Sequence, residues 1–410
     1  LQARWRNDLL NIYQAALDRV AGDRAVMNWL MQHDPAPKPQ AVVSIGKAAA
    51  AMMRGAQTAL GQRLAAGLVL TRHGHGDSRL DKYGQILQFE SAHPIPDASS
   101  LEAGHLLLEF IARQPAQYSL LFLLSGGASS LVEVLPPGCE LADLQFLNQW
   151  LLASGLDIRT MNLVRSRCSR IKAGQLRHFL DERQARVLLI SDVPGDDPAF
   201  VGSGLLHAFP PARLPQELPS ALNRLMSEPA EYRGRDIPHH LVATNSDARH
   251  AAANAAQKLG YSVTIDYPFF DHDAEQVGRA FARQLQNARP GVHILGGEST
   301  VRLPSSSGRG GRNQHLALAA AGAIRGRKDL LILAAGTDGT DGQSEDAGAV
   351  VDGGTWDRAR EAGFDPIRNL QQADSGSLLE ATGDLIHTGP TGTNVMDLLI
   401  GLRVPATIST

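Results

Sequence analysis

Only two cysteines, Cys139 and Cys168, occur in the 410 residues. They lack paired metal-ligand spacing and build no disulfide framework, so a reducing compartment, the cytoplasm, is expected. Positive charge is not in surplus. The formal net charge is -3, which speaks against a dedicated nucleic-acid binder, whose footprint is basic. No apolar run approaches the roughly 20 residues of a membrane span. The N-terminal Leu1-Gln2-Ala3-Arg4-Trp5-Arg6 opens an amphipathic helix rather than a signal peptide. No Gly-x-Gly-x-x-Gly occurs, which counts against a standard dinucleotide fold, and Gly46-Lys47 lacks the upstream glycine of a Walker loop. Gly-x-Ser-x-Gly is unmatched as well, so no nucleophile elbow is expected. The net charge says little about small anionic substrates, which need only a local patch; small molecules, and neither nucleic acid nor membrane, are the expected partners.

What is present is a large alternating chain. Hydrophobic residues make up 43% and charged residues 20%, a balance that supports a sizeable core in two or three domains. Residues 3 to 31 read as one helix, with Leu9, Leu10, Ile12, Tyr13, Ala16, Leu17 and Val20 at helical spacing; Pro35, Pro37 and Pro39 end it. Short apolar runs then alternate with helical patterns. Strands are expected at 41–45, 67–70, 86–89, 120–124 and 186–190, with helices at 47–60 and 99–112. The stretch from Gly195 to Pro238 is rich in proline, glycine and arginine, so a domain boundary is placed near 236. Alternation restarts with a strand at 240–243 and a helix at 247–259, followed by strands at 262–265, 292–295 and 330–334. The fold class is therefore α/β: two domains, 1–236 and 237–410, with mainly parallel sheets, facing each other across a cleft. Ligands in such sheets sit beyond the C-terminal ends of the strands, and the polar, glycine-rich motifs fall there.

The richest motif is Gly296-Gly297-Glu298-Ser299-Thr300, followed by Ser305-Ser306-Ser307-Gly308-Arg309-Gly310-Gly311-Arg312-Asn313-Gln314. A strand feeds it and a helix leaves it. Glycines let backbone amides approach an anion, the helix start adds a positive dipole end, and Arg309 and Arg312 add charge-assisted donors. A mobile linker is the plainer reading, but it has no use for Glu298, two arginines and an Asn-Gln pair. Lys47 sits at a helix start, where a cation is unfavourable without an anion to meet. Ser125-Gly126-Gly127-Ala128-Ser129 follows an apolar strand and offers amides and hydroxyls to an oxyanion; a serine-capped turn is the alternative. Asp192, Asp196 and Asp197 follow another strand, and Asp338 and Asp341 sit in Gly336-Thr337-Asp338-Gly339-Thr340-Asp341-Gly342. These carboxylates suit a divalent cation, an orienting role or simple turns. Arg159, Arg165, Arg167, Arg170 and Lys172 form a basic segment without interleaved aromatics, some of it directed to an anion site and some solvated. His73 and His75 have no third ligand nearby and read as loop.

In this order the motifs resemble the class II glycerate kinases, the family with a C-terminal MOFRL domain, some of whose members are labelled hydroxypyruvate reductase. The resemblance runs over nearly the whole chain. It rests on Ser44-Ile45-Gly46-Lys47-Ala48, His93-Pro94-Ile95-Pro96-Asp97, Ser125-Gly126-Gly127-Ala128-Ser129, Val164-Arg165 with Ile171-Lys172, and Ser191-Asp192-Val193 with Gly195-Asp196-Asp197. It continues in Gly297-Glu298-Ser299-Thr300, Gly308 to Gln314, Gly336-Thr337-Asp338-Gly339, and Thr388-Gly389-Pro390-Thr391-Gly392-Thr393-Asn394-Val395. The chain departs from the family pattern at Ser166-Arg167, where a Lys-His pair is usual, at His315, where glutamate is usual, and at Met396, where a second asparagine is usual. These departures bear on substrate detail.

The resemblance implies a Rossmann-like N-terminal domain and a MOFRL-type C-terminal domain. It also implies ATP-dependent phosphorylation of glycerate, usually at the 2-hydroxyl, with magnesium. Phosphoryl transfer needs charge neutralisation and in-line positioning more than covalent help. Lys47 and then Arg312 are the expected catalytic cations, and Asp192 is expected to orient or deprotonate the hydroxyl. Ser125, Gly126, Gly127, Ser129, Arg165, Gly310, Gly311, Asn313, Thr391 and Asn394 are expected to bind substrate or phosphate. Glu298, Asp338 and Asp341 are the magnesium candidates, and Val395 to Leu402 reads as an apolar helix behind the last loop. Which loop takes glycerate and which takes ATP stays open. A monomer or homodimer is expected. Two other readings stand beside this one: a nicotinamide-dependent hydroxypyruvate reductase, which the missing dinucleotide motif disfavours, and a non-catalytic sensor of a phosphorylated metabolite, which has no use for the acidic turns.

Overall fold

The computed structural model describes residues 2–33, 38–156, 158–208, 214, 218–226, 232, 234–265, 269–304 and 306–405. Pro35, Pro37, Ser305 and several residues between 209 and 233 lie outside them. The chain forms two compact units. The N-terminal unit comprises Ala21–Ala243 together with Gly392–Asn394, and the C-terminal unit comprises Leu1–Val20, Thr244–Thr391 and Val395–Thr410.

In the N-terminal unit six strands form one parallel sheet: β1 (Gln40–Ile45), β2 (Leu64–Arg72), β3 (Ile86–Ser91), β4 (Ser119–Leu124), β5 (Ala185–Ile190) and β6 (His239–Ala243), in the order β3-β2-β1-β4-β5-β6. Every residue of β1 is buried, as are the last five of β4. Continuous apolar runs of this kind belong to parallel strands covered on both faces. Val43, Ile45, Leu68, Phe122 and Leu189 anchor one core layer, packed against Leu107 and Ile111 of the helix Ala98–Arg113. The strand order reverses between β1 and β4. That reversal is the topological switch point where doubly wound sheets open a ligand crevice, and the loops carrying Lys47 and Ser125 leave from it.

The C-terminal unit also has six strands: β7 (Val263–Ile265), β8 (Gly291–Gly297), β9 (Leu330–Gly336), β10 (Gly348–Asp352), β11 (Leu385–Ile386) and β12 (Asp397–Arg403), in the order β11-β10-β9-β12-β8-β7. The helices Ala274–Asn287 and Arg312–Ala323 pack together in the core on this sheet. The α/β class holds for both units, but here the sheet is mixed. β7 and β8 are parallel, while β12 runs antiparallel to both β8 and β9, and β10 antiparallel to both β9 and β11.

β12 replaces the apolar helix expected over Val395 to Leu402. A short run such as Leu398-Leu399-Ile400-Gly401-Leu402, buried on both faces, has no period that separates strand from helix. The helix expected over 3 to 31 is likewise two helices, Gln2–Val20 and Gly22–His33, broken at Ala21. The first packs on the helix Asn245–Lys258 of the C-terminal unit, so the units do not follow a single cut near 236. Amphipathic spacing reports that a face is buried and not which sheet buries it.

Candidate active site

In the N-terminal unit the loops after β1 and β4 are stitched together. Lys47 donates its backbone N–H to the Gly126 carbonyl at 2.9 Å, Ser125 donates its own to the Ile45 carbonyl at 3.0 Å, and the Ala48 amide donates to Ser125 Oγ at 3.1 Å. The Ser125 hydroxyl thus holds the two loops in register. Gly126 closes against the end of β5: a Cβ there would lie 1.8 Å from Asp192 Oδ2 and 2.7 Å from Asn394 Nδ2. Asn394 Nδ2 donates to Asp192 Oδ2 at 3.3 Å. Gly127, at φ 85°, leaves room on its other side for His93 Cδ2 and Lys47 Cγ, which would stand 2.9 and 3.3 Å from a Cβ. The fold therefore gathers Lys47, Asp192 and Asn394 around Gly126-Gly127, although they are far apart in sequence.

Beside this cluster lies a pocket of about 190 Å³ lined by His93, Gly127, Ser129, Asn148, Arg165 and Lys172, among others. Ser129 Oγ shares a hydrogen bond with Ser203 Oγ at 2.6 Å. Arg165, on the helix Ile158–Arg167, bonds Asn162 Oδ1 at 3.3 Å. Burial pushes its pKa below the ordinary arginine value.

The C-terminal unit builds a second polar centre. Gly311 ends the glycine loop and Arg312 opens the helix Arg312–Ala323. Arg312 donates Nε to Asp397 Oδ2 at 2.7 Å and Nη2 to Asp397 Oδ1 at 3.0 Å, and its Nη1 lies 2.7 Å from Glu298 Oε1. Burial works against its charge, but Asp397, Glu298 and Asp341 outweigh that and raise its pKa. Asp341 occupies the helix N-terminus: its oxygens accept the backbone N–H groups of Asn313 at 3.0 Å and Gln314 at 2.8 Å. Burial raises the Asp341 carboxyl to about 7; the two amides and Arg312 pull the other way and Asp397 adds to the rise.

Asp338 Oδ1 accepts both the N–H and the hydroxyl of Thr340, each at 3.1 Å, in a local turn after β9. Thr391 donates its hydroxyl to the Thr337 carbonyl at 2.6 Å. Glu298 thus pairs with Arg312, Asp338 closes its own turn and Asp341 caps a helix. Among the described residues no group of three or more His, Cys, Asp or Glu forms a ready metal cluster.

Gly310, Gly311 and Arg312 line a larger pocket of about 790 Å³ with Val301, Leu303 and His315. Arg309, also on its wall, is already paired with Asp346 at 3.0 Å and with Glu380. His315 is buried 3.5 Å from Glu275. Met396 has φ 67°, the left-handed region that asparagine tolerates best among side chains.

Three contributors escape a reading of the sequence. His93 belongs to a recognised motif but carries no isolated signal. Tyr13 donates its hydroxyl to the Gly336 carbonyl at 2.5 Å, and Asn245 Nδ2 donates to the Val395 and Asp397 carbonyls at 2.8 and 3.1 Å. Tyr13 reads as helix core and Asn245 as an ordinary helix-start residue.

A family model described as a domain of unknown function (DUF4147) matches residues 8–222, and the MOFRL family matches residues 291–397. D-glycerate 2-kinase of Thermotoga maritima is 33% identical over 96% of this chain and 97% of its own length. A protein of Agrobacterium vitis, provisionally named a hydroxypyruvate reductase, is 36% identical over 96% of this chain and 93% of its own. The crystal structure of glycerate kinase from Thermotoga maritima superposes with a TM-score of 0.87 at 31% identity, covering 98% of this chain and all of that one.

Proposed function

The chain belongs to the family that joins a DUF4147 domain to a MOFRL domain, as its 33% identity with D-glycerate 2-kinase over almost its full length also attests, and on that premise we propose that it is a glycerate kinase. It transfers the γ-phosphoryl group of ATP to the 2-hydroxyl of D-glycerate, with magnesium, in the cytoplasm. The observation that carries this reading is the meeting of Lys47, Asp192 and Asn394 around Gly126-Gly127 at the switch point of the parallel sheet.

The chemistry asks for a base or orienting group on the acceptor hydroxyl and for cations where phosphoryl charge develops. Asp192, steadied by Asn394, suits the first task. Lys47, whose backbone is fixed to Gly126, suits the second, and Arg312, held by Asp397, is the further cation proposed. Ser125 positions the loops. Magnesium neutralises phosphate charge and binds through one or two carboxylates plus substrate phosphates, keeping several waters, rather than in an all-protein cage. Glu298 and Asp338 fit that demand as partly accessible carboxylates, whereas both Asp341 oxygens already accept helix amides. Glu298 and Asp338 would hold it.

The test is one assay pair: ATP, magnesium and D-glycerate against NADH and hydroxypyruvate. Coupling the first to an enolase without a mutase reads 2-phosphoglycerate alone. Phosphorylation that reaches the enolase supports the proposal. NADH oxidation without phosphorylation replaces it with the reductase, and ligand binding without turnover replaces it with a sensor.

A further inference from the structure

The two pockets differ in size, and they differ in how their cations are already paired. Glu133 and Lys172 lie at the wall of the smaller pocket, 2% and 3% exposed. Lys172 Nζ is 2.5 Å from Glu133 Oε2, and Glu133 Oε1 accepts Ser169 Oγ at 2.6 Å and the Val134 amide at 2.9 Å. Glu133 is thus consumed by its own neighbours. Arg165 has no such partner: among the described residues its polar contact is Asn162, and no carboxylate pairs with it. A half-buried guanidinium without a counter-ion is costly unless a ligand supplies the negative charge. Its fixed fork matches a carboxylate in two bonds.

Size narrows the ligand. Pockets for drug-sized molecules run to ~300–1,000 Å³. The larger pocket, at about 790 Å³, falls in that range, and the smaller, at about 190 Å³, falls below it. Leu144, Leu147 and Asn148 of the helix Leu141–Ala153 wall the small pocket on one side, and Gly127 lies at another. Gly127 is the residue that abuts Lys47, and its neighbour Gly126 abuts Asp192. The pocket that holds Arg165 therefore shares Gly127 with the cluster of Lys47 and Asp192.

We propose that this pocket is the acceptor subsite, with Arg165 as receptor of the carboxylate and the Leu144-Leu147-Asn148 wall restricting the acceptor to short 2-hydroxy acids. The assignment rests on the kinase reading above and gives the nucleotide no place in this pocket.

The test compares wild type, Arg165→Gln and Arg165→Lys with D-glycerate and its neutral amide, glyceramide. Arg165→Gln is expected to raise KM for D-glycerate about 30-fold or more, as loss of a charge-assisted pair does, and to abolish the preference for the acid over the amide. KM for ATP stays within about twofold, and Arg165→Lys is intermediate. The Leu147→Ala variant is expected to accept the four-carbon erythronate better than wild type does. A rise in the ATP KM with an unchanged acceptor KM in both Arg165 variants overturns the proposal and gives the pocket to phosphate. Calorimetry with D-glycerate alone separates this inference from the kinase reading. If wild type turns over no acid at all, binding lost in Arg165→Gln still supports the subsite, and binding retained overturns it.

Discussion

Asp397 grips Arg312 through both of its carboxylate oxygens, Oδ2 on Nε at 2.7 Å and Oδ1 on Nη2 at 3.0 Å. Asp397 is 1% exposed at the start of the central strand β12, so the guanidinium is aimed by the sheet itself. Asp397→Asn puts an amide N–H₂ against the guanidinium and removes the charge that holds it. Stability is expected to fall by about 2 kcal/mol, as when one partner of a desolvated pair is lost, and kcat about tenfold. Urea denaturation beside steady-state kinetics checks both; a variant with native stability and native kcat would show that the pair does not position Arg312.

The backbone N–H of Lys47 bonds the Gly126 carbonyl, a bond in which the side chain takes no part. Lys47→Ala therefore keeps this backbone bond and removes the cation. Turnover is expected to fall about 100-fold or more, the effect of losing one group that meets transition-state charge, with the melting temperature unchanged. Near-normal turnover would take Lys47 out of the mechanism.

Gly126→Ala asks whether Asp192 must stand where it does. The added Cβ would lie 1.8 Å from Asp192 Oδ2, so the carboxylate and its Asn394 partner have to move. A displacement of about 1 Å costs on the order of 100-fold in rate when positioning carries catalysis. The expected result is a collapse of kcat with ATP binding retained, measured by titration of nucleotide against the inactive variant. Full activity would mean that Asp192 acts elsewhere or not at all.

Tyr13 ties the helix Gln2–Val20 to the end of β9 through the Gly336 carbonyl. Burial raises its hydroxyl above the ordinary tyrosine range, and Asp338, Asp397 and Asp341 add to the rise, so it stays a donor at any working pH. Tyr13→Phe removes a buried hydrogen bond to the Gly336 carbonyl and is expected to cost about 1 kcal/mol. The loss should be the same at pH 6 and pH 9 in urea denaturation. A loss that appears at one pH only would contradict a permanently protonated donor.

The parts of the fold that the sequence displays are those fixed by local pattern. β1, β4, β5, β8 and β9 are apolar runs closed by glycine or polar motifs, and their ends carry Lys47, Ser125, Asp192, Glu298 and Asp338. What the pattern cannot display is partnership at a distance. Asp341 looks like a metal ligand in a glycine turn, yet its nearest task is to cap a helix that begins at Arg312. Arg309 looks like a phosphate donor and is held by Asp346 and Glu380. β12 looks helical because a run buried on both faces has neither period. Arg165 shows the converse: one of several basic residues in its segment, it is distinguished by its place on a pocket wall with no carboxylate paired to it among the described residues.

Asp341 gives a pH signature. Its carboxyl is raised from 3.8 to about 7, because full burial outweighs the amides of Asn313 and Gln314 and the charge of Arg312. Between about pH 4 and pH 7 the folded chain thus keeps a proton that the unfolded chain has released. The contribution to stability is complete below the unfolded value and is lost as pH rises through the folded one. Its slope is at most about 1.4 kcal/mol per pH unit for one proton. Asp341→Asn, which cannot titrate, is expected to be flatter than wild type across this window, although less stable overall because its N–H₂ faces a helix amide. Chemical denaturation of both proteins from pH 4.5 to pH 8 gives the difference curve. Parallel curves would mean that the helix amides hold Asp341 ionised throughout, and the carboxylate would then be a permanent cap whose charge helps to fix Arg312 beside it.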